Sequence, residues 1–339
     1  MPGGSIIGMI PVLMAAGLPL DGVGILLAVD TVPDMFRTTA NITGAMTLTA
    51  ILPAPRGLTP RGAGRLRIGP MSEINNPAEL YERYFVPAMF RPWAAILVRR
   101  AALAPGERAL DVACGTGIVA REAAPLLGEQ GRIAAVDVNP GMLAVARSLP
   151  APAGAPIDWL EGSALALPVP DGSIGVVLCQ HALPFFPDRA AAVRQMRHVL
   201  APRGRAAVIV LQSLARHPLF DLLMRATARS LAVPLAEVIT PFSLPDSSDL
   251  RGLFDDAGFA RVEVVEDSIV ARFAEPHRFV SLTVASASAA VPAFAALAAP
   301  ERAALLAAVG AELAPALAPY REGDTLAVPL FAHVALATA

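Results

Sequence analysis

The sequence predicts an α/β fold with a doubly wound, mostly parallel sheet, preceded by a short hydrophobic helical segment. Apolar stretches of strand length alternate with helix-like stretches from residue 109 to residue 211, and this alternation is typical of a parallel sheet covered by helices. The composition changes near residue 55, where a stretch rich in Pro, Gly and Arg begins. At 339 residues the chain is also longer than one typical domain. We therefore expect a hydrophobic segment at 1–55, a linker at 56–70 and a main domain at 71–339.

The first elements of the main domain lead into a tight turn. Apolar side chains at helical spacing predict a helix from Pro77 to Ala102. A short apolar strand follows at Ala109 to Val112, and a second helix runs from Ile118 to about Leu127. The turn between them contains Gly115 and Gly117, whose lack of a Cβ allows a sharp bend and a close approach to a ligand. The N-terminus of the second helix then offers unpaired N–H groups to that ligand.

The remaining elements continue the alternation and add helices near the C-terminus. Strands are predicted at Arg132 to Val136, Ile174 to Cys179, Val262 to Val265 and Leu326 to Leu336. Helices are predicted at Ser213 to Thr240, from about Asp246 to Ala257, and as two or three helices in the Ala-rich stretch from Pro276 to Ala318. The insertions before Pro241 and after Pro276 are expected to form a substrate lid.

Two acidic residues near the turn indicate the kind of ligand. Asp111 ends the first strand with an acceptor-only carboxylate, which suits a cationic, donor-rich group better than a pyrophosphate. Asp137 ends the next strand about 20 residues after Gly117, where an acidic side chain can accept hydrogen bonds from both ribose hydroxyls. Together these residues predict a nucleotide-like ligand with an amino-acid tail.

The run LDVACGTG and the motifs that follow it up to Arg205 resemble the class I S-adenosylmethionine-dependent methyltransferases. The resemblance extends over about residues 72–339 and implies a seven-stranded, Rossmann-like doubly wound sheet with helical insertions, and S-adenosylmethionine as the cofactor. It also implies a set of cofactor-binding positions: Asp111, Ala113, Gly115, Gly117, Asp137, Val138, Met142, Ser163, Ala164 and Gln180. Val138 and Met142 would flank the adenine, and Gly162-Ser163-Ala164 would contact its amino group.

The sequence departs from the family pattern at three positions. Ser163 stands where the family usually has Asp, which weakens the expected contact to the adenine amino group. Gly175 stands where Asp is common, and Arg203 replaces a usual Gly in the turn before the fifth strand.

Several residues are candidates for the methyl-acceptor side. Gln180 and His181 follow the fourth strand, where the family places acceptor-side groups, and His181 with an ordinary pKa near ~6.5 could act as a general base. A packing or helix-capping histidine is the alternative. Tyr81 and Tyr84 lie on the first helix, which could cover the cofactor, and their hydroxyls could reach the site, although packing explains them equally well.

Overall, the main domain is similar to the ubiquinone/menaquinone-type C-methyltransferase group, which implies a small-molecule acceptor. The fourth strand does not end in Asn-Pro-Pro-Tyr, so the amide and adenine N-methylating branches are disfavoured and C- or O-methylation is expected. A non-catalytic S-adenosylmethionine sensor is an alternative. A dinucleotide-binding dehydrogenase, which the glycine turn also permits, is disfavoured because the sequence contains no lysine for a Tyr-x-x-x-Lys pair.

The first 55 residues carry a pattern of their own. Asp30, Asp34, Arg37 and Asn41 follow one another at three- and four-residue steps, which places them along one side of a helix. This pattern resembles the last transmembrane helix of the dicarboxylate/amino acid:cation symporters, and the resemblance begins at Pro2-Gly3-Gly4. It implies substrate-binding positions at Asp34, Arg37, Thr38 and Asn41, whereas a further sodium-binding Asp would fall at Ala45.

Transport by this segment alone is not expected, because the helices that would complete a binding site and satisfy its polar groups are missing. We expect residues 1–55 to be a remnant of a transporter joined to an enzyme, and they give the enzyme a route to membrane association. A membrane symporter fragment with an incidental C-terminal domain is the rival interpretation.

The composition excludes several other classes. A net charge of −2 and a pI of about 6.2 give no electrostatic footprint for nucleic acid. Two cysteines provide no disulfide framework, so a cytoplasmic location is expected, with tethering to a membrane through residues 1–55 as the variation. No metal site is predicted.

Overall fold

The sheet of the main domain has eight strands in a computed structural model that describes residues 76–287 and 291–339. The strands are β1 (Arg108–Val112), β2 (Arg132–Asp137), β3 (Ile157–Glu161), β4 (Ile174–Gln180), β5 (Leu200–Leu211), β6 (Arg261–Ala274), β7 (Arg321–Glu322) and β8 (Thr325–Thr338). Seven of them follow the order β3-β2-β1-β4-β5-β8-β6, and the two-residue β7 pairs with β8. The segment 1–55, the linker 56–70 and the symporter-like positions Asp34, Arg37, Thr38 and Asn41 lie outside the described residues.

The order of the strands brings the carboxyl ends of β1, β2 and β4 to one edge of the sheet. The strands β3, β2, β1, β4 and β5 are all parallel, whereas β8 runs antiparallel between β5 and β6. The expected doubly wound sheet is confirmed, with β7 as an addition to the seven-stranded path. In such a sheet the crevice at the carboxyl ends of the parallel strands is where ligands bind.

Helices cover both faces of this sheet. They are α1 (Pro77–Leu80), a π-helical segment (Tyr81–Phe90), α2 (Arg91–Arg100), α3 (Ile118–Leu127), α4 (Pro140–Ser148), α5 (Arg189–Val199), α6 (Pro218–Leu231), α7 (Leu235–Val238), α8 (Ser247–Asp256), α9 (Phe279–Ala287), α10 (Pro292–Ala295) and α11 (Ala299–Leu313). Short 3-10 turns lie at Leu183–Phe185, Leu214–Arg216, Thr240–Phe242, Pro276–Arg278 and Ala314–Tyr320.

Alternate residues along a strand supply two different cores, as the pleat of a sheet requires. In β1, Ala109 belongs to the apolar cluster that contains Trp93, whereas Leu110 and Val112 belong to the cluster that contains Val193 of α5. The central strands are buried on both faces, which explains why they read as continuous apolar runs in the sequence.

The helix expected from Pro77 to Ala102 forms, but its middle is π-helical. Pro87 lies inside the π-helical segment, and because proline has no N–H it cannot continue the regular hydrogen-bond ladder of an α-helix. The Arg91 N–H donates to the Val86 carbonyl, five residues back, as α2 begins. Tyr81, the first residue of the π-helical segment, lies beside Gly115 of the glycine turn.

One strand is much longer than expected. The strand β6 extends over Arg261–Ala274 rather than Val262–Val265. Its later residues alternate between exposed and more buried positions, and the charged Glu266 and Arg272 lie on the exposed face. It pairs along its whole length with β8.

The Ala-rich stretch forms helices, as expected, and packs over the end of the sheet. In α11, Leu305, Val309 and Leu313 are buried, and the helix contacts α6 and α9. Among the described residues, Ala299–Tyr320 is long and apolar enough to cross a membrane, but length and composition do not distinguish such a helix from a surface helix of a folded domain.

Candidate active site

The glycine turn lies between β1 and α3 at the carboxyl edge of the sheet. Its backbone is left-handed at Ala113 (φ 56°), Gly115 (φ 57°) and Gly117 (φ 85°). The Gly117 N–H donates to the Cys114 carbonyl at 2.8 Å, and Gly117 is the N-cap residue of α3. Two glycines at such positions carry no Cβ penalty, whereas Ala113 adopts this conformation at a cost of about 1–2 kcal/mol.

A tryptophan explains the need for glycine at position 117. A Cβ built on Gly117 would lie 2.1 Å from Cη2 of Trp159, which belongs to β3. The expectation that this glycine serves the close approach of a ligand is therefore incomplete, because the neighbour that fills the space is a side chain of the protein. At Gly115 the nearest atoms belong to the Tyr81 ring, at 3.8 Å.

Asp111 is buried at the end of β1 and holds the start of α3. Its Oδ2 accepts a hydrogen bond from the Ala120 N–H at 3.1 Å, whereas its Oδ1 is buried and has no partner in the part of the chain that the structure describes. Burial raises the pKa of Asp111 to about 7, the Ala120 N–H opposes this rise, and the negative charge of Asp137 adds to it. A cationic donor next to Oδ1 would favour the ionised form.

Asp137 ties the turn to the next loop. Its Oδ2 accepts a hydrogen bond from the Gly115 N–H at 2.7 Å, and its Oδ1 accepts one from the Asn139 N–H at 2.8 Å. Burial raises the pKa of Asp137 above its ordinary value, although these backbone donors act in the opposite direction. The carboxylate therefore lies at the expected edge and already organises the backbone around it.

The loop after β2 presents an apolar surface beside this carboxylate. Val138, the residue after Asp137, is 58% exposed and so leaves an apolar side chain open to a ligand. Asn139 caps α4 by accepting hydrogen bonds from the Gly141 and Met142 N–H groups. The half-buried Met142 thus lies in the first turn of α4, close to Val138 in the chain.

The Ser163 hydroxyl maintains its own loop. It accepts a hydrogen bond from the Leu165 N–H at 3.1 Å, and the Ser163 carbonyl accepts one from the Ala166 N–H. The Gly162 N–H donates to the Asp137 carbonyl at 3.0 Å, so this loop is joined to the acidic end of β2. Ser163 is exposed and Ala164 is half-buried beside it.

The π-helical segment is attached to the glycine turn by a polar cluster. Glu82 accepts hydrogen bonds from the Thr116 hydroxyl at 2.5 Å and from the Arg121 guanidinium at 2.7 Å, and Arg121 also donates to the Thr116 carbonyl. Tyr81, next to Glu82, lies over Gly115. Burial raises the pKa of Tyr81 above its ordinary range, and the charge of Asp137 contributes to this rise, so the phenol is neutral at physiological pH.

The two candidate tyrosines occupy different surroundings. Tyr84 is buried and packs against Phe85 and Phe273 of β6, with ring centroids 5.1 and 5.8 Å away, and its hydroxyl has no partner. The structure therefore brings Tyr81 to the glycine turn but places Tyr84 against β6.

The end of β4 faces the same N-terminal helical region. The Gln180 Nε2 donates to the Phe90 carbonyl at 3.1 Å, whereas its Oε1 is buried without a partner. His181 has a left-handed backbone (φ 54°) and its ring packs against Phe90 and Trp93. Both ring nitrogens of His181 are buried, and no described residue is their partner.

The expectation of an ordinary pKa for His181 is wrong. Burial lowers the pKa of His181 to about 3, and the neighbouring His217 adds to this shift. The imidazole is therefore neutral at physiological pH but is a weak proton acceptor. The thiols of Cys114 and Cys179 are also buried, and burial raises the pKa of both, which leaves them protonated.

Comparison with known proteins identifies two regions of the chain. The family described as a methyltransferase domain matches residues 109–204, and the sodium:dicarboxylate symporter family matches residues 1–54. The ubiquinone/menaquinone biosynthesis C-methyltransferase of Shewanella woodyi is 31% identical over 199 residues, which cover 53% of this chain and 78% of that protein. The corresponding enzyme of Xanthomonas campestris is 33% identical over 187 residues, covering 50% of this chain and 73% of that protein. The chain belongs to the S-adenosylmethionine-dependent methyltransferases.

The fold of this methyltransferase is also found among solved structures. A putative methyltransferase from an antibiotic biosynthesis pathway of Anabaena variabilis superposes with a TM-score of 0.51 at 15% identity, over 73% of this chain and 97% of that protein. Among sequence relatives, a shorter match to the 2-phytyl-1,4-naphtoquinone methyltransferase of Synechococcus elongatus is 34% identical over 123 residues and covers 36% of this chain and 53% of that protein. The family, the fold and the cofactor expected from the sequence are confirmed.

The described residues of the methyltransferase fit its cofactor, S-adenosylmethionine. The unpartnered Oδ1 of Asp111 is a buried acceptor at the edge where the cofactor's ammonium group would need one. The carboxylate of Asp137 and the exposed Val138 lie side by side at the end of β2, as a ribose and an adenine would require.

Proposed function

We propose that this methyltransferase methylates a ring carbon, or a ring oxygen, of a neutral aromatic small molecule of the hydroquinone type. The observation that carries the proposal is the uncharged aromatic wall at the end of β4. Tyr81 stacks on Phe90 at 4.7 Å between ring centroids, and Phe90 and Trp93 both pack against the neutral His181. Such a surface favours a flat apolar ring over a charged acceptor.

Relatives support a carbon as the methylated atom. The relatives from Shewanella and Xanthomonas are named C-methyltransferases of ubiquinone and menaquinone biosynthesis, and each is matched over about three quarters of its length. We infer from this similarity that C-methylation is the main activity and O-methylation the alternative.

We further propose how the cofactor is held. Asp137 accepts hydrogen bonds from the ribose hydroxyls, Val138 and Met142 flank the adenine, and the loop at Ser163 and Ala164 closes over its amino group. The methionine tail lies at the turn formed by Ala113, Gly115 and Gly117, with Asp111 as the acceptor for its ammonium group and Gln180 bordering it. The support is the position of these groups at the carboxyl ends of β1, β2 and β4.

The chemistry places modest demands on the protein. When bound, S-adenosylmethionine supplies a methyl group that is already activated by the sulfonium. The protein must hold the acceptor atom in line with that methyl group and exclude water, which is mainly a matter of positioning. Tyr81, fixed over Gly115 by the contacts of Glu82, covers the site. His181 contributes as a neutral hydrogen-bonding group rather than as a strong base, because its pKa is lowered to about 3.

The cellular setting follows from the two parts of the chain. We propose that the methyltransferase domain, residues 71–339, works in the cytoplasm and that the symporter-like residues 1–55 are not needed for catalysis. Arg56, Arg61, Arg65 and Arg67 follow that segment, and positive charges beside a hydrophobic segment favour the cytoplasmic side of a membrane. The proposed route of membrane association is through residues 1–55.

A methyl-transfer assay tests the proposed function. The full chain is incubated with methyl-labelled S-adenosylmethionine and with reduced 1,4-naphthoquinols, reduced benzoquinols, simple phenols and amines, and the products are separated and analysed by mass spectrometry and NMR. We expect label on a ring carbon of a quinol, and none with the Asp137→Ala variant at limiting cofactor. Binding of S-adenosylmethionine without transfer to any acceptor would instead favour a sensor, and transfer to amines alone would contradict the proposed acceptor class.

A further inference from the structure

The end of β4 carries polar atoms that have no partner among the residues that the structure describes, 76–287 and 291–339. Oε1 of Gln180, both ring nitrogens of His181 and Nε1 of Trp93 are all buried and unpaired. Buried polar groups in folded proteins are nearly always hydrogen-bonded, so four unpaired atoms on three residues need an explanation. A ligand that supplies the missing partners is one such explanation.

These atoms belong to one group of side chains, which we call the β4-end cluster: Phe90, Trp93, Gln180 and His181. Gln180 and His181 are consecutive, and Gln180 is fixed by the hydrogen bond from its Nε2 to the Phe90 carbonyl. The Trp93 ring lies edge-on to the His181 ring with the centroids 5.5 Å apart, and the Phe90 ring lies 6.1 Å from His181. The side chains that carry the unpaired atoms therefore pack together at the end of β4.

The backbone at His181 is strained in a way that maintains this arrangement. Its φ of 54° is left-handed, which costs a non-glycine residue about 1–2 kcal/mol. The conformation is held by the hydrogen bond from the His181 N–H to the Ile209 carbonyl at 2.8 Å, next to the end of β5. Strained residues of this kind cluster at functional sites, because there the surroundings and not local preference determine the conformation.

The chemistry of the cluster matches a hydroxyl group. The indole Nε1–H can only donate, the amide Oε1 can only accept, and a neutral imidazole does one at each nitrogen. A hydroxyl both accepts and donates, so it can satisfy Trp93 and Gln180 together. A carboxylate or phosphate would find no positive partner on these four side chains, because burial keeps His181 neutral, and an unpaired buried charge is costly.

We propose that the β4-end cluster binds the ring hydroxyl of the aromatic acceptor. The Trp93 Nε1–H donates a hydrogen bond to the hydroxyl oxygen, and Gln180 Oε1 accepts a hydrogen bond from the hydroxyl. His181 completes the contact as a neutral hydrogen-bonding partner, and Phe90 and Trp93 form the walls for the ring. This assignment deepens the proposed function and rests on it, and it makes Trp93 and Gln180 specificity-determining residues for a neutral phenolic acceptor.

Binding of three naphthalene derivatives to the full chain tests this assignment without the cofactor. Isothermal titration calorimetry is performed with 1-naphthol, with 1-methylnaphthalene, which lacks the oxygen, and with 1-naphthoate, which is anionic. For the wild type we expect 1-naphthol to bind most tightly. Trp93→Phe keeps a ring and removes the donor, so it should weaken 1-naphthol about 3- to 10-fold, the scale of one neutral hydrogen bond, and leave 1-methylnaphthalene unchanged.

Two further variants complete the design. Gln180→Met removes the acceptor and should also weaken 1-naphthol alone, and it carries the test if Trp93→Phe does not fold. Tyr320→Phe is the matched control, because it removes one polar hydrogen outside the cluster, and it should leave all three affinities unchanged.

Several outcomes would overturn the assignment. These are equal 1-naphthol affinity in the wild type and in both cluster variants, a parallel loss for 1-methylnaphthalene, which indicates a packing role only, and 1-naphthoate as the tightest ligand. The proposed function fails separately: selective binding of 1-naphthol without methyl transfer to any acceptor contradicts that function and leaves the hydroxyl site standing. Methyl transfer to quinols with unaltered 1-naphthol binding in the variants contradicts the hydroxyl site alone.

Discussion

Replacement of Asp137 by alanine separates the cofactor role of this carboxylate from its structural role. Charge-assisted hydrogen bonding to the ribose hydroxyls would be lost, and one such bond contributes about 1.5–3 kcal/mol, or about 10- to 150-fold in Kd. The variant also loses the acceptor for the Gly115 and Asn139 N–H groups. Each of these bonds contributes about 0.5–1.5 kcal/mol to the free energy of unfolding.

The two effects on stability of this substitution oppose each other. Burial raises the pKa of Asp137, so the folded state already bears a cost for the charged carboxylate, and alanine removes that cost. We therefore expect the loss of stability to be only about 1–2 kcal/mol, with the fold retained, and a much larger relative effect on cofactor binding.

The assay is calorimetric titration of S-adenosylhomocysteine into the wild type, Asp137→Ala and Asp137→Asn, with thermal unfolding followed by circular dichroism. Asp137→Asn keeps one oxygen for a backbone N–H and should bind with intermediate affinity. Asp158→Asn is the control, because Asp158 is an exposed aspartate on the neighbouring strand β3, and its Kd should match the wild type. A folded Asp137→Ala protein with the wild-type Kd would refute the ribose assignment.

Four further outcomes follow from the structure. Gly117→Ala should destabilise the protein by more than about 2 kcal/mol in urea unfolding, because of left-handed strain and the overlap with Trp159. In a Trp159→Leu background the same substitution should cost only about 1–2 kcal/mol. Equal costs in both backgrounds would show that the overlap is relieved in another way. Arg203→Gly should raise the free energy of unfolding by up to about 1 kcal/mol, because Arg203 is exposed and its φ of 66° is left-handed, and a decrease would contradict the strain argument. The pKa of Asp111 is raised to about 7 in the folded state, so its stabilising contribution is complete below the unfolded pKa and declines as pH rises; between pH 5.5 and pH 8 the wild type should lose about 2 kcal/mol relative to Asp111→Asn, and parallel pH curves would contradict this. A protein that begins at Met71 should bind S-adenosylhomocysteine as tightly as the full chain, and loss of binding would place the domain boundary elsewhere.

The central strands and the doubly wound class of the sheet could be predicted because they follow from local patterns. Apolar runs such as Ile174–Gln180 are buried on both faces, and the glycine turn after Val112 has few alternatives to a strand–turn–helix unit. The positions of Asp111 and Asp137 at the carboxyl edge then follow from the geometry of a parallel sheet, since both end a strand.

The details of the site could not be predicted because they depend on residues that are distant in the sequence. Nothing near Gly117 indicates that Trp159 fills the space beside it. His181 and Trp93 likewise meet only in the folded chain, and the burial that lowers the pKa of His181 arises from that packing. Residue type alone predicts an ordinary pKa for His181, and the packing of the folded chain lowers that pKa.

The π-helical segment and the length of β6 show a different limit. Pro87 predicts a disturbance in the helix, but it does not predict that the chain continues as a π-helix. The contact of Glu82 with the glycine turn stabilises that π-helical segment. In β6, charged residues on the exposed face interrupt the apolar pattern from which a strand is predicted. The strand is therefore longer than its apolar residues indicate, and its inner face packs against the rest of the domain. Arg203, where the family has glycine, adopts the left-handed conformation that glycine would favour.

Titration of S-adenosylhomocysteine into the full chain tests the central claim most directly. If the glycine turn, Asp111 and Asp137 form a cofactor site, calorimetry should show saturable binding to one site per chain, and the Asp137→Ala variant should bind about 10- to 150-fold more weakly. The absence of any heat of binding or thermal shift at millimolar ligand, with a folded protein, would contradict the claim.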